Sequence, residues 1–192
     1  MKNRKNVKKA LRLAAAAAVS GLTALPALAH PGHGGDSGML AGLLHPLTGL
    51  DHLLALLAVG LWARSQRHGA VMPPVFLVLM ALGASSAGLL QDGLLPALEA
   101  SIAATVLLLG ALAASALRMP PQLAVILAGA CGFLHGMAHG RELAGMGSGA
   151  GFLLASALVM GLGMIVQPDP RRRRMASAAI GAAGLCLLAG LV

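Results

Sequence analysis

His45, Asp51, His52, Glu99, His135, His139 and Glu142 lie within, or at the edge of, long apolar stretches. An ionisable side chain in such a stretch is costly in lipid, so it faces a bundle interior or a wet cavity and marks a site. His45 and His52 are seven positions apart and fall nearly in line after two turns of a straight helix, with Asp51 beside His52 and Thr48 and Gly49 in the same sector. His135, His139 and Glu142 follow the i, i+4, i+7 spacing of one helical stripe. Glu99 opens a third apolar run, with Ser101 and Thr105 further along it. Imidazole and carboxylate without thiolate suit borderline first-row divalent cations such as nickel, cobalt and zinc, rather than soft copper(I) or hard magnesium. The ten Met are not gathered into thioether-rich motifs, which also disfavours copper(I). A lone helix histidine is more often a hydrogen-bonded packing residue, but four of them with three acids on three helices point to a metal site. Asp51 and Glu142 either ligate directly or orient a neighbouring imidazole.

The elements that must position these groups are transmembrane helices. Of 192 residues, 57% are hydrophobic and 10% charged, and the mean hydropathy is +0.81, a composition that suits lipid rather than water. Apolar spans are expected near 39–63, 74–91, 97–117, 122–140, 149–166 and 176–192, each of roughly the length a bilayer demands. The fold class is therefore all-α, a polytopic membrane protein with six helices in a compact bundle. Gly132, Gly136 and Gly140, four apart, allow close helix approach. Three spans per half would place the halves in opposite orientations, as in a 3+3 inverted repeat, although similarity between the halves is too weak to establish one.

The N-terminal segment reads as an address. Lys2, Arg4, Lys5, Lys8, Lys9 and Arg12 precede the apolar stretch Leu13 to Leu25, and Ala27-Leu28-Ala29 has the small-x-small form of a cleavage site. The expected organisation is a signal peptide over 1–29, a His/Gly-rich periplasmic leader over 30–38 and a transmembrane domain over 39–192. With the mature N-terminus outside, Arg64 and Arg67, Arg118, and Arg171 to Arg174 all fall in cytoplasmic loops, as the positive-inside bias requires. The chain then sits in a bacterial inner membrane with both mature termini periplasmic. His52 falls near mid-membrane, and His135 and His139 at middle to outer depth. His30 and His33, beside the new terminal amine, could form a metal-capture arm, or be incidental to a polar leader. His68, beside Arg67, reads as a solvated loop residue.

The formal charge of +8 is thus topological, and with three Phe, one Trp and no Tyr there is no stacking platform for bases, which argues against nucleic acid as a partner. No Gly-x-x-x-x-Gly-Lys-Ser/Thr loop occurs, which argues against nucleotide drive. Cys131 and Cys186 fall in apolar runs and read as packing residues.

His45-Pro46-Leu47-Thr48-Gly49-Leu50-Asp51-His52 resembles the first-helix signature of the HupE/UreJ family of hydrogenase and urease accessory permeases. His135-Gly136-Met137-Ala138-His139-Gly140-Arg141-Glu142 is similar to that family's second signature, and Leu98-Glu99-Ala100-Ser101-Ile102-Ala103 to its third-helix acidic motif. Leu134 departs from the pattern, which has Phe directly before the first histidine; Phe133 stands one position away. The resemblance implies uptake of nickel(II) or cobalt(II) as transported ion, with no prosthetic group and no enzymatic activity. It also implies that His45, Asp51, His52, His135, His139 and Glu142 handle the metal, with Glu99 as companion. Zinc, the energy source and homo-oligomerisation stay open. The same donors could instead hold zinc with an open water position in an intramembrane zinc-dependent hydrolase. Axial His pairs in a haem-binding bundle, or a structural accessory subunit, are further alternatives.

Overall fold

A computed structural model describes residues 38–89, 91–115, 117–140, 142, 145–166 and 169–190. The expected signal peptide, and His30 and His33 of the leader, lie outside the described residues. The helices are α1 (Met39–Thr48), α2 (Leu50–Ser65), α3 (Met72–Ser86), α4 (Leu95–Ser115), α5 (Pro121–His139), α6 (Gly145–Ile165) and α7 (Pro170–Leu188), and no strand occurs among the described residues.

Prolines start several of these helices. Pro73, Pro121 and Pro170 occupy first-turn positions of α3, α5 and α7, where a missing N–H costs nothing. At α7 the Asp169 carboxylate accepts from the backbone N–H groups of Arg171 and Arg172 at 3.1 and 3.0 Å, an N-cap that fixes the start of the helix.

The expected first span, 39–63, is not one straight helix. α1 and α2 meet at 83°, and the sequence between His45 and His52 contains the cause. Pro46 lies inside α1 and cannot donate to the carbonyl four residues back. Thr48 turns its hydroxyl onto the His45 carbonyl at 2.9 Å. Gly49 then adopts an extended conformation, φ −84° and ψ 112°, and ends one helix while starting the next.

Four helical stretches among the described residues are long and apolar enough to cross a bilayer: Gly69–Leu89, Leu95–Ser115, Pro121–His139 and Gly145–Ile165. The bent pair α1–α2 makes a fifth if counted as one span. The sixth expected span corresponds to α7, which falls short because Arg171 to Arg174 occupy its first turn. The 14 apolar-phase positions after them, Met175 to Leu188, rise only about 21 Å against the ~30 Å hydrocarbon thickness.

α3 packs along α5, α4 along α7, and both α1 and α2 against α6. Glycines set these separations. A Cβ at Gly132, Gly136 or Gly140 would strike the carbonyls of Phe76, Met80 and Ala84 on α3, and one at Gly83 would strike the Phe133 carbonyl on α5. Gly151 of α6 meets Met39 of α1 in the same way, and Gly184 of α7 meets Leu107 of α4. The stripe read from the sequence is therefore the α3–α5 contact. Trp62, Phe76, Leu56, Met80, Leu109 and Met160 fill the core around it. Cys131 is buried in that core, Cys186 is half-buried, and both are free.

Candidate metal centre

The break at Gly49 decides how the first motif is used. On a straight helix His52 would lie about 10 Å further along the axis than His45. Bending the chain by 83° instead brings both rings against the same partner, His139 at the C-terminal end of α5. The ring centroids of His45 and His139 are 5.1 Å apart, and those of His52 and His139 are 5.0 Å apart. α5 is unbroken, so His135 and His139 lie one turn apart on one face, with His135 beside His52 at a centroid separation of 5.3 Å.

Two donor clusters result. The outer one consists of His45, His139 and Glu142. His45 Nε2 and His139 Nδ1 are 3.2 Å apart, and each lies 3.1 Å from Glu142 Oε2. With metal–ligand bonds of about 2.05 Å, neighbouring donors would stand about 2.9 Å apart in an octahedral shell and about 3.3 Å in a tetrahedral one. The observed triangle falls between these values. Glu142 is 56% exposed, so this cluster is open at the mouth of the bundle. Its carboxyl is lowered from 4.5 to about 2, first by its hydrogen bond with His139 and then by that with His45, against a smaller opposing effect of burial. The carboxylate is therefore ionised, and ready to meet a cation, through the whole ordinary pH range.

The inner cluster is His52, His135 and His139, whose ligating atoms lie within 4.8 Å of one another. His52 and His135 are wholly buried. Each is held through one ring nitrogen: His135 Nε2 lies 2.8 Å from Thr105 Oγ1, and His52 Nε2 lies 3.4 Å from Ser156 Oγ. The other nitrogen of each ring, Nδ1, is buried without a partner, and so is His139 Nε2. A buried polar atom left unpaired costs roughly 1–3 kcal/mol, a cost that a polar ligand or cation bound at these rings would relieve. Phe152 packs against the site, its ring 4.7 Å from that of His52 and 5.6 Å from that of His45.

Residues 16–192 match the family described as HupE / UreJ protein. The chain belongs to the HupE/UreJ family. A curated relative, Protein HupE of Rhizobium leguminosarum bv. viciae, is 40% identical over 167 residues, covering 80% of this chain and 86% of the relative. No solved structure matches this HupE/UreJ chain.

Five of the seven sequence-predicted transmembrane site residues, His45, His52, His135, His139 and Glu142, form the two clusters. Asp51 does not join them. Its Oδ1 accepts from the His52 backbone N–H at 2.7 Å, which stiffens the start of α2 and so holds His52 in place. Glu99 is exposed on α4 and lies outside both clusters. Thr105, noted only as a polar neighbour of Glu99, is instead the anchor of His135. Ser156 and Phe152 were not foreseen, since one serine and one phenylalanine in an Ala/Leu/Gly-rich helix carry no spacing signal. Phe152, with Phe76 at 6.2 Å from the His135 ring, supplies aromatic wall to the site. His68 is exposed, in keeping with a solvated loop residue.

Proposed function

We propose that this HupE/UreJ chain is a permease that carries a divalent first-row transition metal, nickel(II) or cobalt(II), inward across a bacterial inner membrane for metalloenzyme maturation. One observation carries the reading: a half-buried His/Glu cluster, open at Glu142, continues through the shared His139 to two fully buried histidines with unpaired ring nitrogens. An ion that sheds water at the mouth finds replacement donors one ring deeper. Nitrogen-rich sites with a single carboxylate favour nickel, cobalt and zinc over magnesium or calcium.

The orientation expected from the loop charges has support in the bundle. Arg64, Arg67 and Arg118 line one pocket with Ser65 and Gln66, while the outer cluster lies at the opposite end of α5, whose 19 residues rise about 28 Å. On this reading the arginine end faces the cytoplasm and Glu142 faces the periplasm, with both mature termini periplasmic. The main pairings fit a 3+3 inverted repeat, while the α2–α4 packing has no comparable α5–α7 counterpart among the described residues. Exchanging the first three spans with the last three turns the α1/α2–α6 contact into α5–α3 and leaves α4–α7 unchanged. The two histidine pairs then sit on repeat-related helices.

The hydrolase alternative gains nothing from these observations, and membership of an accessory-protein family weighs against it. Purified protein reconstituted into vesicles containing a metal-sensitive dye tests the reading. External nickel or cobalt should quench the dye, and His52→Ala, which removes a buried donor, should abolish the signal. Vesicles whose dye stays unquenched by every divalent metal while a lipid-linked substrate is cleaved would replace transport with hydrolysis.

A further inference from the structure

We infer that the outer and inner clusters hold a single ion alternately, never two at once, because His139 belongs to both and has one lone pair to offer. The inference rests on the metal-carrying reading above and adds a rule of occupancy to it.

The two nitrogens of His139 have different surroundings, Nδ1 among the outer donors and Nε2 in the buried interior. Nδ1 points to the mouth, 3.1 Å from Glu142 Oε2 and 3.2 Å from His45 Nε2. Nε2 is buried without a partner, in the ring that packs edge-on against His52. A neutral imidazole carries a proton on one nitrogen and a free lone pair on the other. An ion in the outer cluster uses the lone pair of Nδ1, which leaves the proton on Nε2 and closes that nitrogen to the inner cluster. An ion in the inner cluster uses Nε2, and the proton then sits on Nδ1, where the Glu142 carboxylate is placed to accept its hydrogen bond. Moving the ion inward therefore exchanges the two sides of one ring. One proton leaves Nε2 as the metal arrives and one is taken up at Nδ1 as the metal departs, so the proton count is unchanged. Filling both sides together would require an imidazolate between two divalent ions whose charges repel across a single ring.

The rest of each cluster is separate. His45 and Glu142 serve only the outer cluster, and His52 and His135 only the inner one. Damage to either one should leave the other able to bind, whereas loss of His139 should damage both. The arrangement makes transport single-file, because a second ion cannot load at the mouth until the first has left the inner trio.

Cobalt(II) titration of the full-length protein in detergent tests this, in a background of His30→Gln and His33→Gln so that the leader contributes no ion. Bound cobalt per chain is counted by elemental analysis after desalting, and the visible absorption of cobalt(II) reports its donors. The expected result is one cobalt per chain at saturation. His45→Gln and His135→Gln should each still bind one, with different spectra, and because exclusive sites add their association constants at least one of the two should stay within about twofold of wild-type affinity, whereas His139→Gln should weaken binding at least ~100-fold. His45→Gln, at the exposed mouth, keeps the comparison available if the buried His135→Gln variant does not fold. Two cobalt ions per chain at saturation overturn the occupancy rule and leave the metal reading standing. No cobalt bound to a helical, monodisperse protein overturns both.

Discussion

α5 and the α1–α2 pair each bring two histidines to the same place by opposite means. α5 is continuous, and its pair is aligned by helical periodicity alone: His135 and His139 are one turn apart, with a glycine stripe beside them that presses the helix onto α3. The α1–α2 pair is aligned by a break. Pro46, the Thr48 hydroxyl and extended Gly49 turn the chain by 83°, so that His45 ends one helix and His52 starts the next. A regular helix suffices for donors one turn apart. Here donors seven apart meet one imidazole across an interrupted helix. The two regions therefore respond differently to backbone change, which makes the contrast testable.

The largest effect should come from the residue that both regions share. His139→Ala removes a donor from each cluster and should abolish uptake, measured as metal accumulated per cell at matched expression. Next comes the frame of α5. Gly136→Val places a branched side chain against the Met80 and Ala84 backbone, where overpacking costs about 1–3 kcal/mol. A lower melting temperature in detergent and a parallel loss of uptake are expected. On the other side of the contrast, the double substitution Pro46→Ala and Gly49→Ala permits a continuous helix. It should weaken the outer cluster by swinging His45 away from His139 while the protein keeps its melting temperature. Unchanged metal affinity there would show that the break does not position His45.

Smaller effects belong to the supporting residues. Thr105→Val leaves His135 without its 2.8 Å partner, and a lost partner of a metal-binding histidine costs about 10–100-fold in metal affinity. Glu142→Gln removes the outer charge and should weaken capture. The Glu142 carboxyl, held at about 2, contributes fully to folding above its unfolded value of 4.5 and loses that contribution only as pH falls toward 2. Weaker metal binding in mild acid therefore comes from protons competing for imidazole nitrogens, and it should persist in Glu142→Gln. The smallest effect is expected at Glu99, outside both clusters, where Glu99→Gln should leave affinity within about twofold, a surface change of ordinary size.

Much of this was legible before any coordinates. Hydropathy marked the helical segments, and the cost of an ionisable group in lipid singled out His45, His52, His135, His139 and Glu142. The break at Gly49 was written in Pro46 and Gly49, yet it was hidden because a continuous apolar run suggests one span. Only the contacts between helices show that both rings turn to His139. Asp51 looked equivalent to Glu142, and Glu99 a companion to both, because sequence carries depth but not direction. The separation of Glu99 and Asp51 from the clusters depends on which face of α4 is exposed and on one short hydrogen bond to the His52 backbone. Thr105, Ser156 and Phe152 were chosen by proximity across helices, which no spacing along a single helix encodes.

The central claim is that the paired clusters pass a divalent metal inward. Its most direct test is radiolabelled nickel accumulation, with cobalt and zinc as competitors, in cells lacking their own nickel importers. These cells would express the wild type, His52→Ala or His139→Ala at equal membrane levels. Accumulation by the wild type alone, displaced by the preferred competing cation, is the predicted result. Equal accumulation by all three proteins, or none by a correctly inserted wild type, would contradict it.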